Sequence, residues 1–445
     1  MTSSSWWPLN LATACVGKHR LNNARRGGFT TVELFGVLLI ITVLIWLLLP
    51  AVQAAREQAR RTSCANNLLQ VGLGVQAYHE AFAQFPVQLS GTDGSIAAGQ
   101  DNDRRLSIFV GLLPFLGHNA VWDEIHTTRD LDDSFYYSMG MESSDWDFEE
   151  LMEEETGEGE TSDESPQPWV AGGPEPFVEG YEPWQWEFSL YRCPSDPGMG
   201  RPSYGRINYA ACFGDGMVAA DSGPFKEVNG VFVYDETLAE QTDAAMRGVF
   251  VPRVVTRLSD VTDGLSNTIM LGEMATDLGD RDNRTNPIVG PGLELRDHPN
   301  WARDHAKLID PQRPQFWAVE EVATELELAS DTGRGFRWAD GMPLYSGFNT
   351  ILPPNREITL AQDQDDSWGV LTASSRHQSG VHVCFADGSV RFITDSIDTG
   401  DTRRSSVYPG SPNPPGSKSP YGLWGALGTR SSGELNLLPP ASLIP

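Results

Sequence analysis

The sequence predicts an α+β protein in which one long amino-terminal helix packs on a mainly antiparallel β-sheet domain with long loops. An apolar run occupies residues 29–49, and a stretch without proline, 51–82, repeats apolar residues at spacings of three and four. Both patterns are typical of helices. Beyond residue 84 the chain breaks into short apolar runs separated by Gly, Pro, Asp and Asn, which indicates strands joined by turns.

The first 49 residues have the pattern of a membrane helix. Residues 1–28 contain lysine and arginine but no acid, and residues 29–49 contain Glu33 as their only charged side chain. A helix of about 20 residues spans the roughly 30 Å of a hydrocarbon core, so the run predicts one membrane span. The basic leader favours a cytoplasmic amino terminus, with the rest of the chain outside the cytoplasm.

The hexapeptide GFTTVE, which begins at Gly28, resembles the type IV prepilin signal. The resemblance implies a pilin-like fold, cleavage after Gly28 by a prepilin peptidase and N-methylation of Phe29. It also implies that Glu33 pairs with the terminal amine of a neighbouring subunit, since charge pairing offsets the cost of a carboxylate in lipid. The alternative is that Glu33 only reaches the lipid headgroups. Pro50 matches a helix-kinking proline that is common in pilins.

We expect the helix to continue outside the membrane through residues 50–83. Apolar residues recur there at spacings of three and four, namely Leu68, Val71, Val75, Tyr78 and Phe82. Such a stripe predicts one face packed on a globular domain, and core packing explains it without a binding role. Gly72 and Gly74 are expected to weaken the helix locally. The dipeptide Phe85-Pro86 is expected to end it.

An extracytoplasmic domain is expected over residues 84–445. The segment TIMLGE indicates a buried strand, and the alternating runs on either side of Asp387-Gly388 indicate a β-hairpin with a type I′ turn. Residues 107–116 are apolar and are expected to pack near the long helix. An insertion at about 140–183 begins with a block of acidic residues, which predicts disorder because like charges repel one another.

These segments resemble a second family, a bacterial domain-of-unknown-function family with a prepilin-type amino terminus and a carboxy-terminal His-x9-Asp-Gly motif. His377, Asp387 and Gly388 have the spacing of that motif. Five further segments look like its recurring blocks: YRCPSDP, DGLSNTIMLGE, RWADG, FNTILPPN and LWGALGTRSSGE. The resemblance extends over residues 28–434 apart from the acidic insertion. Because the family has no established catalytic activity, the resemblance implies an architecture rather than a reaction.

The chain contains five cysteines. Cys15 precedes the apolar run, so cleavage after Gly28 leaves an even number, which permits disulfides outside the cytoplasm. Several pairings are possible, and the sequence does not choose among them. A Cys193–Cys212 bridge is one candidate because both residues flank a short turn-rich stretch. Buried free thiols are the alternative.

Two sets of residues are candidates for binding metal ions. His377, His382 and Asp387 combine two imidazoles with a carboxylate, which suits a transition metal. Asp387 is equally explained as a turn residue, and His377 as a group that fixes the loop by a backbone hydrogen bond. His382 is expected to be exposed on its strand. The run AQDQDDSW could bind Ca²⁺, but it lacks the glycine and terminal glutamate of an EF-hand, so a solvated loop is the simpler interpretation and no cofactor is expected.

The leading functional hypothesis is structural. It is a pilin-like or pseudopilin-like envelope protein, such as a minor subunit of a type IV pilus or of a type II secretion pseudopilus. Its expected partners are the prepilin peptidase, other pilin subunits or secretion machinery, and the membrane. The net charge of −28 and the lack of a basic run argue against nucleic acid as a partner.

Two alternatives remain open at this point. One is a monomeric anchored surface protein that uses the prepilin signal only for export. The other is an anchored enzyme or metal-binding module built around His377, His382 and Asp387. The sequence contains no G-x-S-x-G, H-E-x-x-H or Walker motif, and we expect the protein not to be an enzyme.

Overall fold

The chain forms two compact units, residues 1–56 and residues 57–445. The structure is a computed structural model, and it describes residues 30–94, 101–128, 169–305, 307–318 and 332–434. The predicted leader and the predicted mature terminus, Phe29, therefore lie outside the described residues.

Nine α-helices occur among the described residues: Thr31–Phe82 (α1), Ile108–Leu112 (α2), Asn119–Ile125 (α3), Glu182–Gln185 (α4), Glu236–Ala245 (α5), Gly292–Asp297 (α6), Trp301–Asp304 (α7), Pro343–Ser346 (α8) and Gly422–Gly428 (α9). Short 3-10 helices cover Leu113–Leu116, Ser189–Tyr191 and Leu258–Asp260. The strands are Tyr209–Cys212 (β1), Phe225–Val228 (β2), Val231–Tyr234 (β3), Ile269–Glu273 (β4), Ile288–Val289 (β5), Gly347–Phe348 (β6), Thr359–Leu360 (β7), Gly369–Val370 (β8), Gly380–Phe385 (β9) and Val390–Thr394 (β10).

Helix α1 begins with a capping box formed by Thr30 and Glu33. The Glu33 N–H donates to the Thr30 hydroxyl at 3.2 Å, and the Thr30 N–H donates to Glu33 Oε2 at 2.9 Å. This reciprocal pair satisfies two backbone donors that the first turn of a helix leaves without intrahelical partners. Pro50 lies inside α1, which by length and composition could cross a membrane once.

The carboxy-terminal part of α1 packs within the larger unit through the predicted stripe. Leu68, Val71 and Val75 are completely buried. Phe82, at the end of the stripe, is instead 56% exposed, and its ring lies against Tyr78. Core packing therefore explains three of the five positions of the stripe.

Two glycines allow this part of α1 to approach its neighbours closely. A Cβ added at Gly72 would lie 2.6 Å from Cys384 Sγ, and one added at Gly74 would lie 2.7 Å from Leu116 Cδ2. Leu116 belongs to the apolar segment that was expected to pack near the helix. The two glycines therefore permit close contact, although each costs about 1 kcal/mol of helix propensity relative to alanine.

The central sheet has the strand order β10-β9-β4-β1-β6. Neighbouring strands are antiparallel except for the parallel pair β1–β6. Two smaller sheets contain β2-β3 and β5-β7-β8. The prediction of an α+β protein with mainly antiparallel sheets is confirmed, and the predicted buried strand TIMLGE corresponds to β4, in which every residue is buried.

The predicted hairpin forms between β9 and β10, but its turn is not of type I′. Gly388 has a φ of +82°, whereas Asp387 is not at positive φ. The Gly388 N–H donates to the Phe385 C=O at 2.8 Å, and the Phe385 N–H donates to the Ser389 C=O at 2.9 Å. The loop therefore contains three residues, 386–388, and this length requires a left-handed residue only at its last position.

The prediction of a disordered insertion is wrong for residues 169–183. Residues 140–168 lie outside the described residues, whereas residues 169–183 form a packed loop. Trp169 and Tyr181 are buried there, with their ring centroids 5.1 Å apart. The aromatic residues among the prolines supply apolar surface on which this loop packs.

Candidate functional site

The structure brings two of the three predicted metal-binding residues together. The rings of His377 and His382 have centroids 5.4 Å apart. Asp387 lies elsewhere, in the hairpin turn, where its Oδ1 accepts hydrogen bonds from the N–H and O–H of Ser389. The predicted group of three is therefore wrong in its third member, because an extended strand, β9, separates the turn from His377.

His382 is buried rather than exposed, with 6% of its surface accessible. Its ring lies 5.0 Å from that of Phe392, and the guanidinium of Arg61 lies 3.4 Å from the centre of the Phe392 ring. The expectation of an exposed histidine was wrong because α1 covers this face of the sheet. Alternation along the strand identified the face correctly but not what covers it.

The carboxylate beside the two histidines belongs to Glu273, the last residue of β4. Its Oε2 accepts the backbone N–H of His382 at 2.7 Å, and its Oε1 lies 2.9 Å from His382 Nδ1 and 3.4 Å from His377 Nε2. Burial alone would raise the pKa of Glu273, but hydrogen bonds from His377 and His382 outweigh burial and lower it. Glu273 is therefore a buried anion held by both histidines.

His377 lies between two carboxylates. Its Nδ1 is 3.0 Å from Glu57 Oε1, and its Nε2 faces Glu273. Burial favours the neutral imidazole, but the two carboxylates outweigh burial and raise the pKa of His377. Burial likewise opposes ionisation of Glu57, whereas His377 and Arg60 lower its pKa overall. The three side chains form a carboxylate–imidazole–carboxylate row.

A disulfide joins Cys64 to Cys193 next to this row. The predicted Cys193–Cys212 bridge is therefore wrong, and Cys212 and Cys384 are free, buried thiols. Cys212 lies inside the central sheet, whereas Cys193 lies in a loop against α1. His377 Nε2 is 3.6 Å from Cys193 Sγ, so the disulfide and the histidine are in contact.

The side chain of Asn67 holds the Cys193 loop against α1. Its amide donates to the C=O of Ser189 at 3.2 Å and to the C=O of Arg192 at 2.9 Å. The Cys193 N–H donates to Asn208 Oδ1 at 3.0 Å. The loop conformation is therefore fixed by hydrogen bonds on both sides of the sulfur.

Sequence reasoning missed Glu57, Cys64 and Glu273. The first two lie on the same face of α1 as the apolar stripe, because positions 57, 61, 64 and 68 continue its spacing of four and three toward the amino terminus. Extending the stripe to polar residues would have identified both. Glu273 could not have been found in this way, since it contacts His382 through the pairing of β4 with β9.

The candidate Ca²⁺ run contains a carboxylate that already has partners. Asp365 Oδ2 accepts hydrogen bonds from Arg337 Nη1 and from the Tyr345 hydroxyl, each at 2.7 Å. The positive charge of Arg337 and the Tyr345 hydroxyl offset the negative charge of the Asp365 carboxylate, which weakens its attraction for a cation.

The sequence also matches a known family. The profile of a family described as "Protein of unknown function (DUF1559)" matches residues 53–400 of this 445-residue chain. The chain belongs to the DUF1559 family. The comparisons with curated proteins and with solved structures found no match. The predicted membership in a domain-of-unknown-function family is thus confirmed, while the prepilin-type start and the His-x9-Asp-Gly motif stay predictions.

The matched part of this DUF1559 protein contains the whole candidate site. That site consists of Glu57, Cys64, Cys193, Glu273, His377 and His382. The apolar amino-terminal part of α1 precedes the matched residues, and so does the prepilin-like hexapeptide. The DUF1559 match therefore bears on the site and not on the anchor.

Proposed function

We propose that this DUF1559 protein is a membrane-anchored, pilin-like structural subunit of the cell envelope. The observation that carries the proposal is the surface of α1 before residue 51, where every residue from Thr31 to Pro50 is exposed and nearly all are apolar. A continuous apolar surface of this length is stabilised by lipid or by other apolar helices. Both would surround the helix of a pilin-like subunit.

Glu33 supports the proposal through the geometry of its two carboxylate oxygens. Oε2 accepts both hydrogen bonds from Thr30, one from its N–H and one from its hydroxyl. Among the described residues, no hydrogen bond uses Oε1. The same carboxylate can therefore cap its own helix and accept a bond from the terminal amine that cleavage after Gly28 would create on a neighbouring subunit.

The disulfide supports an extracytoplasmic location for the larger unit. Disulfides persist in oxidising compartments and are rare in the cytosol. The Cys64–Cys193 bridge therefore agrees with a cytoplasmic amino terminus and an exported body. In this proposal the prepilin peptidase processes the chain, and pilin subunits or secretion machinery are its later partners.

We propose a structural rather than a catalytic role for the larger unit. The side chains of His377 and Glu273 are each 1% exposed, and both are engaged by hydrogen bonds or the disulfide. Side chains held in this way by their neighbours suit a structural role. The row of charged residues is better suited to joining α1 to the sheet.

Mass spectrometry of the mature amino terminus tests processing, and crosslinking between subunits in cells tests assembly. We expect N-methylated Phe29, and we expect Glu33→Gln to abolish the crosslinks, because glutamine can keep the capping geometry but loses the charge. Thr30→Val is the matched control, since it removes the hydroxyl that caps the helix and leaves the Glu33 carboxylate. A terminus at Met1 or Ala55, or wild-type crosslinks in Glu33→Gln, would contradict the proposal.

The capping box also favours a second candidate, an anchored surface protein that uses the prepilin signal only for export. In that case Glu33 needs no neighbouring subunit, because Thr30 already supplies its partners. N-methylated Phe29 together with an absence of crosslinks in the wild-type protein would identify this candidate. The two functions are therefore separated by the same pair of measurements.

A further inference from the structure

The candidate site contains four potential metal ligands from distant parts of the chain. They are Cys64 Sγ, Cys193 Sγ, Glu273 Oε1 and His377 Nε2, and these atoms all lie within 4.8 Å of one another. All four residues are buried, none with more than 5% of its surface accessible. We propose that reduction of the Cys64–Cys193 disulfide converts this cluster into a zinc site, a property that goes beyond the structural function proposed above.

Two distances within the cluster match those between neighbouring ligands of a tetrahedral zinc ion. Zinc binds thiolate at about 2.3 Å and imidazole or carboxylate at about 2.0–2.1 Å, so neighbouring ligands in a tetrahedron are roughly 3.3–3.8 Å apart. His377 Nε2 is 3.4 Å from Glu273 Oε1 and 3.6 Å from Cys193 Sγ. The two sulfurs are too close, because they are bonded to each other. Breaking that bond allows them to separate to about 3.8 Å, the edge expected for two thiolates on one zinc ion.

The ligands have the outer partners that zinc ligands require. His377 Nδ1 faces Glu57 Oε1 at 3.0 Å, which leaves Nε2 directed at the metal position. A carboxylate in this place fixes the tautomer and orientation of a zinc-bound histidine. Glu273 is oriented in the same way by the backbone N–H and the ring of His382.

The conversion is a balanced redox reaction. A dithiol reductant gives two electrons and two protons to the disulfide, which becomes two thiols while the reductant becomes a disulfide. Zinc binding then releases the two thiol protons and any proton on His377 Nε2 to solvent, so that all three atoms bind the ion through lone pairs. A disulfide oxidant reverses the sequence by taking back two electrons and becoming a dithiol, because sulfurs that are bonded to each other no longer provide thiolate ligands for the zinc.

A cleft provides an approach to the cluster. It borders His377 and has a volume of about 430 Å³. Arg284, Asn355, Arg376 and Asp395 also line the cleft beside His377. A hydrated cation or a small dithiol fits within this volume and can come next to His377, whose side chain is 1% exposed.

Cobalt titration of the full-length protein in detergent tests the proposal, since Co²⁺ occupies zinc sites and absorbs visible light. After reduction with a phosphine, we expect one Co²⁺ per chain, with tetrahedral d–d bands and a thiolate-to-cobalt charge-transfer band that Zn²⁺ abolishes. The oxidised protein should show none of these bands. His377→Ala should remove the tetrahedral spectrum, and Glu57→Gln should weaken zinc binding by about 10- to 100-fold.

Two matched variants control for histidines and thiols outside the cluster. His126→Ala removes an exposed histidine, and Cys212→Ala removes a buried free thiol, so both should bind cobalt as the wild type does. A reduced wild-type protein that keeps its circular dichroism spectrum and binds no cobalt would overturn the proposal. So would equal binding by oxidised protein, or a spectrum unchanged in folded His377→Ala. The wild-type titration decides the matter even where a variant does not fold.

Discussion

Glu273 and His382 are joined by two hydrogen bonds, one from the backbone and one from the side chain of the histidine. The His382 N–H donates to Oε2 at 2.7 Å, and Nδ1 lies 2.9 Å from Oε1. The first bond follows from the pairing of β4 with β9 and does not depend on the residue at position 382. The buried carboxylate therefore keeps one strong donor whatever side chain stands opposite it.

Because the backbone bond to Glu273 survives a change of side chain at position 382, replacing Glu273 should destabilise the fold more than replacing His382. Glu273→Leu leaves His377 and the His382 N–H without their acceptor in a buried place, and should lower the free energy of unfolding by about 3–5 kcal/mol. His382→Ala removes one of the donors and should cost about 1–3 kcal/mol. Denaturant unfolding measures both, with the exposed Glu240→Gln as a control expected within about 0.5 kcal/mol of wild type. An equal loss of unfolding free energy in Glu273→Leu and His382→Ala would contradict this prediction.

The disulfide should contribute measurably to stability. Its cysteines are 129 residues apart in sequence, and closing a long loop restricts the unfolded chain, so reduction should lower the free energy of unfolding by about 2–5 kcal/mol. The measurement is denaturant unfolding with and without reductant, in the presence of a metal chelator. The Cys64→Ser/Cys193→Ser variant should not respond to reductant, whereas Cys212→Ala should respond as wild type does. Peptide mapping that finds Cys193 bonded to Cys212 would show the assignment to be wrong.

Gly72 should not tolerate alanine, although alanine favours helices by about 1 kcal/mol. The added Cβ would lie 2.6 Å from Cys384 Sγ, and overpacking of this kind costs about 1–3 kcal/mol. Cys384→Ala removes the sulfur, so Gly72→Ala should be less harmful in that background. Thermal unfolding of the four proteins in the cycle measures the coupling, expected at about 0.5–3 kcal/mol. If the changes in stability caused by Gly72→Ala and Cys384→Ala were additive, the added Cβ would not be in steric conflict with the Cys384 sulfur.

Glu357 should make stability fall in acid. Burial alone would raise the pKa of this carboxyl, but Arg356 and Arg303 lower it to about 2. Because the folded pKa lies below the ordinary value of 4.5, the stabilisation is present above pH 4.5 and is lost as the pH falls toward 2. It amounts to something on the order of 3 kcal/mol.

Unfolding measured across that pH range tests this contribution. Glu357→Gln should be less stable than wild type near neutral pH, and its stability should fall less steeply in acid. Glu240→Gln should keep the wild-type slope, because its side chain is exposed. A wild-type slope in Glu357→Gln would assign the acid sensitivity to other carboxyls.

Local patterns in the sequence predicted the elements that depend on local structure. The stripe along α1, the buried strand β4 and the hairpin at Gly388 each follow from periodicity or turn chemistry within a few residues. The exact turn was missed because two- and three-residue loops both accept Asp-Gly. The order of the central sheet could not be predicted, since β4 pairs with β9 across more than a hundred residues.

The candidate site is harder to predict because its members come from four separate segments. His377 was identified from its spacing to Asp387, but that spacing pointed to the wrong partner. Residues near in sequence are far apart when an extended strand separates them. The true partners are Glu57, which is brought in by the packing of α1 on the sheet, and Glu273, which is brought in by the pairing of β4 with β9. No pattern within one segment contains that information.

The number of residues between His377 and Asp387 also sets the distance between them, because most of these residues form an extended strand. Strand β9 occupies most of this interval. His377 contacts Glu57 and Glu273 at one end, and Asp387 lies in the hairpin turn at the other. Deleting or inserting one residue would turn His382 and Cys384 to the opposite face of the sheet, or would withdraw His377 from its carboxylates. A chain with the same end residues and a different interval therefore needs a compensating bulge in the strand. The strand acts as a molecular ruler that sets how far the histidine stands from the turn.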